Sequence, residues 1–135
     1  MKIVVENNIV LDALLGRYPY NEPAEKILIA CAETHRGYLT ANSLTDIFYI
    51  LRKFMDVQSA KAAIIRLIGL FQIISINEED CINAIELPID DFEDALVLTC
   101  SKKAEADYIV TRDVNFLSVK SNVPVVPPDE LMNIL

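Results

Sequence analysis

Apolar residues fall into two alternating rhythms along this chain: short β-branched runs, and longer stretches with helical spacing. Lys2-Ile3-Val4-Val5-Glu6 is the first run and reads as a buried strand over residues 2–6. Asn7 or Asn8 can cap the helix that follows. Its apolar side carries Ile9, Val10, Ala13 and Leu14, and Gly16 ends it before a turn at residues 17–21. A second helix is predicted from about Glu22 to Thr34, with Ala24, Ile27, Leu28 and Cys31 at helical spacing and Gly37 closing it. Tyr38-Leu39-Thr40 is a second strand. Ser43-Leu44-Thr45-Asp46 opens a third helix, and Ser59 is the expected cap of a fourth. Phe71 to Ile76 reads as a strand. Asn77-Glu78-Glu79-Asp80 starts a helix that ends near Leu87-Pro88, and Asp91-Phe92-Glu93-Asp94 starts another that runs to about Ala104. Tyr108-Ile109-Val110 and Val123 to Val126 are the last strands, and a terminal helix begins at Pro127-Pro128. Strands separated by helices predict an α/β fold with a mostly parallel, five-stranded sheet covered on both faces. No repeat or linker interrupts the pattern, so residues 1–135 are expected to form one domain.

Composition narrows the class. Hydrophobic residues make up 53% of the chain, with only 3 Gly and 6 Pro, which provides a core and excludes a disordered or linker-rich protein. No apolar run approaches the about 18 residues of a membrane span. The first residues already read as a strand and not as a leader, so a cytoplasmic location is expected. Cys31, Cys81 and Cys100 are odd in number and widely spaced, forming neither a metal pair nor a disulfide framework; buried free thiols are expected. The net charge of -8 excludes nonspecific coating of nucleic acid. It leaves room for a nuclease whose acidic centre adds to the negative count.

Four acids stand at element junctions: Glu6 at the end of the first strand, Asp46 early in the third helix, Asp94 at a helix start, and Asp113 just past a late strand. In open α/β sheets, ligands gather beyond the carboxyl ends of the strands. Acids converging there repel one another unless a hard divalent cation intervenes, and Mg²⁺ and Mn²⁺ favour oxygen donors. Such a site activates water and neutralises charge on a reacting phosphate. Asp91 shares a helix face with Asp94, and Lys53 is expected on the face of Asp46. Taken singly, each acid also fits a plain role as a strand end, helix face, helix-start charge or turn residue.

The motifs resemble those of the PIN domain from Lys2 to Leu131. Glu6-Asn7-Asn8-Ile9-Val10-Leu11 is similar to the family's opening strand and Asp-Thr-Asn. Ser43-Leu44-Thr45-Asp46-Ile47 resembles its second acidic motif, and Asp91-Phe92-Glu93-Asp94-Ala95-Leu96 its third. Ala106-Asp107-Tyr108-Ile109-Val110-Thr111-Arg112-Asp113, with Phe116 behind, resembles its fourth. The resemblance implies a three-layer α/β/α fold and Mg²⁺- or Mn²⁺-dependent cleavage of RNA. Small single-domain members of this kind resemble VapC-type toxins, homodimers inhibited by an antitoxin protein. Motif position implies that Glu6, Asp46, Asp94 and Asp113 are catalytic, with Glu6, Asp94 and Asp113 on the metal. Asn8 and Thr111 match the polar helpers, and Asp91 and Asn115 are further supporting residues. Arg52, Lys53 and Arg112, the nearest bases, are candidates for the RNA backbone, with solvated surface charge as the alternative.

Two positions depart from the family. Glu6 replaces Asp, and the extra methylene moves the carboxylate by more than about 1 Å. Asn115 stands where an acid usually precedes the Phe, keeping an oxygen but losing the charge. Both keep open a second reading, a PIN-like RNA-binding or protein-interaction module with weakened catalysis. A phosphoacceptor of the response-regulator kind fits less well. It needs an acid pair after the first strand and an Asp ending a central one, where this chain has amides after Glu6 and Asn77 after Ile76.

Overall fold

The computed structural model describes residues 1–135. Its elements are β1 (Lys2–Val5), α1 (Asn7–Leu15), α2 (Asn21–Glu33), β2 (Arg36–Thr40), α3 (Ala41–Leu51), α4 (Val57–Leu70), β3 (Gln72–Ile74), α5 (Glu78–Ile85), α6 (Phe92–Lys103), β4 (Tyr108–Val110), α7 (Val114–Leu117), β5 (Val125–Val126) and α8 (Pro128–Ile134). The strands form one parallel sheet in the order β3-β2-β1-β4-β5.

β1 is central because it is apolar on both faces. Ile3 and Val5 face a core completed by α1, α2, α3, α4 and α8, with Ile9, Ile27, Ile47, Leu67 and Leu131 buried there. Val4 faces the opposite core, with Val97 and Leu98 of α6 and Phe116 of α7. α5 packs on α6 through Ala84, Ala95 and Leu96. The result is the expected three-layer α/β/α arrangement, and no helix is long and apolar enough to cross a membrane. From β1 the chain winds outward through β2 and β3, then returns to the other side through β4 and β5. The point where the winding reverses lies between β1 and β4, the place where open α/β sheets leave a crevice at the strands' carboxyl ends. Val5 pairs with Val110, so Glu6 and Thr111 leave the sheet side by side.

Several local expectations change. Gly37 does not close α2; it lies within β2, opposite Ile3. A side chain there would bring a Cβ to 2.6 Å from the Phe71 ring and 2.7 Å from Cys31 Cβ. Gly37→Ala is expected to cost about 2 kcal/mol, the usual scale for overpacking a core, read as a lower urea midpoint. α4 begins before Ser59: Asp56 is its cap and accepts from Ser59 N at 2.7 Å. α3 ends at Leu51, so Lys53 leaves the helical face expected to carry it beside Asp46. The last strand shortens to Val125–Val126, and the short α7 was not predicted. The thiols are free; Cys31 and Cys100 are buried and Cys81 is half-buried.

Candidate active site

The crevice is built by residues that end strands and begin helices. Glu6 caps α1, its Oε2 accepting from Asn8 N at 3.5 Å. The hydrophobic strand before it draws the carboxylate under cover, and the residue is only 7% exposed. Burial pushes the Glu6 carboxyl up to about 7, helped by the charges of Glu93, Asp94 and Asp113 and opposed by the Asn8 N–H. Asp91 caps α6 by accepting from Asp94 N at 3.0 Å, which turns Asp94 inward. Burial, then Asp91, Asp113 and Glu93, raise the Asp94 carboxyl to about 6. Asp113 caps α7, its Oδ1 accepting from Asn115 N at 2.9 Å.

Asn8 and Thr111 tie the two strand ends together. Asn8 Nδ2 donates to Thr111 Oγ1 at 3.1 Å, and Asp113 N donates to the same hydroxyl at 3.1 Å. Asn8 Oδ1 is buried and has no hydrogen-bond partner, an oxygen orphaned beside the acids.

Glu6, Asp94 and Asp113 therefore come within range of one another's charge. Asp46 joins at the flank through Glu93, a residue the motif reading passed over. The Glu93 carboxyl is raised by partial burial, then by the charge of Asp46. It also accepts from Asn7 Nδ2 at 3.3 Å. The available signal was the run Asp91-Phe92-Glu93-Asp94: adjacent helical residues point about 100° apart, so one acid can turn to α3 while the next turns inward. As they stand, no three acidic, His or Cys side chains are grouped closely enough to hold one metal ion. Asn115 is exposed and lines the same cleft as Asp94 and Asp113.

The candidate RNA contacts are placed differently from one another. Arg112 turns away from the acids and donates through Nε and Nη2 to the buried Asp12 at 2.6 and 2.9 Å. Its guanidinium also lies 4.1 Å from the centre of the Tyr20 ring. The expectation that Arg112 is free for a phosphate is corrected: Asp12 occupies the fork of donors. Arg52 donates to Met55 O at 3.0 Å, and Lys53 sits 5.3 Å over the Tyr49 ring; both are exposed.

The raised carboxyls make metal-free stability depend on pH. Folded Glu6 and Asp94 bind protons more tightly than the unfolded chain, whose values are 4.5 and 3.8. Stability is thus highest below those values and falls as pH rises through 6 and 7. For Glu6 the displacement corresponds to about 3 kcal/mol. Urea midpoints in chelator are expected to drop between pH 5 and 8, and Glu6→Gln is expected to flatten the curve.

A family model of the PIN domain matches residues 2–115. No curated protein sequence matches the chain. Among solved structures, it is similar to a toxin–antitoxin complex from Klebsiella pneumoniae, with 19% identity and a TM-score of 0.71 over 93% of this chain and 97% of that one. It is also similar to a sarcin-ricin-loop-cleaving VapC toxin of Mycobacterium tuberculosis (16% identity, TM-score 0.70, 84% and 92% covered). A third neighbour is a VapBC complex of Rickettsia felis bound to promoter DNA (14%, 0.70, 94% and 98%). At these identities the likeness is one of fold. The family match runs from the first strand through Asn115 and takes in the whole acidic crevice, and the chain therefore belongs to the PIN domain family.

Proposed function

We propose that this protein is a metal-dependent endoribonuclease and the toxin of a toxin–antitoxin pair. The reading is carried by Glu6, Asp94 and Asp113, which stand together at the sheet's switch point, where burial raises the Glu6 and Asp94 carboxyls and the charge of Asp113 adds to both. This donor set fits Mg²⁺ or Mn²⁺ in kind: it is anionic and all oxygen, and the unpartnered Asn8 Oδ1 adjoins it. Glu6, Asp94 and Asp113 would hold the ion, drawn inward from their separate positions. When bound, the ion supplies an activated water and positive charge for the phosphoryl oxygens.

The remaining work falls to the chain. Asn8 and Thr111 lock the β1 and β4 ends, so the acids they carry keep a fixed spacing. Asp46 and Glu93 lie within range of each other's charge at the flank, and this pair can accept a proton from the attacking water. Exposed Arg52 and Lys53 remain available to the RNA backbone. An antitoxin partner is supported by the Klebsiella neighbour, which was solved as a toxin–antitoxin complex. A homodimer in the cytoplasm completes the proposal by family resemblance.

A second reading, a PIN-like module with weakened catalysis, is favoured by one observation: the acids are not grouped around a common point. Calorimetric titration with Mn²⁺, paired with RNA cleavage in Mn²⁺ and in chelator, separates the two. The nuclease predicts binding and cleavage that chelator abolishes. No heat of binding and intact RNA would leave the module.

A further inference from the structure

A cleft of about 710 Å³ opens beside the acids, within the size range of small-ligand sites. Four carboxylates, Asp94 and Asp113 among them, line it, and so do Lys102, Lys120, Leu87 and Ile89. Asp94, Leu98 and Lys102 repeat at four-residue spacing on one face of α6, so acid and lysine stand about 12 Å apart along the helix axis. Lys120 reaches the cleft from the segment after α7. Neither lysine forms an ion pair, although acids outnumber bases 20 to 12 in this chain. The adjacent Lys103, by contrast, is held by Asp80 and the Ser75 carbonyl, both at 2.6 Å.

We propose that this cleft seats one unpaired nucleotide of the RNA, the neighbour of the phosphate that is cut. The inference rests on the nuclease reading. The base lies against Leu87 and Ile89, and the nucleotide's outer phosphate meets Lys102 and Lys120. Lysine serves a phosphate as a point charge, while the carboxylates at the other end repel one, so the charge pattern sets the strand's direction through the cleft. A base locked in a duplex cannot enter, so the nucleotide seated here is one that the RNA leaves unpaired.

The test compares wild type with Lys102→Ala/Lys120→Ala, using an RNA hairpin cut in its loop and a fully paired control. The expected result is a KM about tenfold higher with kcat kept, and a salt dependence of log KM shallower by about one to two. Wild type is expected to spare the paired control. Lys61→Glu, on α4 and outside the cleft, is expected to match wild type. Independently of cleavage, adenosine 5′-monophosphate should shift the amide NMR signals of Leu87, Ile89 and Lys120 in wild type and not in the double variant. If wild type cuts RNA but the variant keeps its KM and its nucleotide shifts, the subsite is wrong and the nuclease stands. If wild type cuts no RNA, the nuclease reading fails, and loss of the nucleotide shifts in the variant alone still marks a nucleotide site. A cleft reserved for a protein segment would show no nucleotide shifts and an unchanged KM, which overturns the proposal.

Discussion

Asp94→Asn is expected to lower RNA cleavage at least about 1,000-fold while making the metal-free protein more stable at pH 8. The substitution keeps size and shape and removes only the charge. In the proposed nuclease Asp94 holds the metal, so its loss removes several kcal/mol of stabilisation from the reacting phosphate, and each about 1.4 kcal/mol is a factor of ten in rate. The same charge costs the fold: Asp94 is 6% exposed, and its carboxyl is raised to about 6, first by burial and then by Asp91, Asp113 and Glu93. Asparagine escapes that penalty, so the unfolding midpoint in chelator at pH 8 should rise, and the gain should vanish near pH 4, where Asp94 is protonated in the folded state. Activity traded against stability in this way marks a functional charge. Cleavage in Mn²⁺ and thermal melts in chelator read the two effects separately. Equal cleavage by the variant would remove Asp94 from the site, and an unchanged melt would show that its charge is already neutralised in the fold.

Arg112→Ala is expected to cost about 4 kcal/mol, a large share of the stability of a domain this size. The reason lies in its partner. The Asp12 side chain is 0% exposed, takes two bonds from Arg112, and has otherwise only Arg17 at 3.6 Å. Removing Arg112 strands a buried carboxylate. Asp12→Ala is expected to cost less, because the Arg112 side chain is 33% exposed and can turn its donors to water. The double variant should be more stable than Arg112→Ala alone, since neither charge is then left unpaired. Urea denaturation of the three proteins measures this order. Should Arg112→Ala keep full stability and instead raise KM for RNA, the arginine would return to the list of RNA contacts. Arg112 also lies between Thr111 and Asp113, so the same pair anchors the segment that carries the last acid.

Features governed by near neighbours in the chain were legible without a structure. Residues 108–110 form a strand as their aromatic and β-branched run predicts. Asn77 caps α5, with Asp80 reaching back to Asn77 N at 3.0 Å, as the order Asn-Glu-Glu-Asp implies. α7 escaped because four residues are too few to display a period. Gly37 was misread because a glycine after a helix suits a C-cap equally well; only the Phe71 ring and Cys31, brought against β2 from elsewhere, show why a side chain is excluded.

By itself, the sequence determined the alternation of strands and helices, the two-sided burial of β1, and the junctions at which Glu6, Asp46, Asp94 and Asp113 stand. Those follow from periodicity and capping, which act over a few residues. Only the tertiary structure decided that Arg112 would turn to Asp12, 100 residues away, that Glu93 would meet Asp46, and that two unpaired lysines would share a cleft with Asp94 and Asp113. Such pairings are set by how the layers pack, because a side chain takes whichever partner the packed surface leaves within its reach.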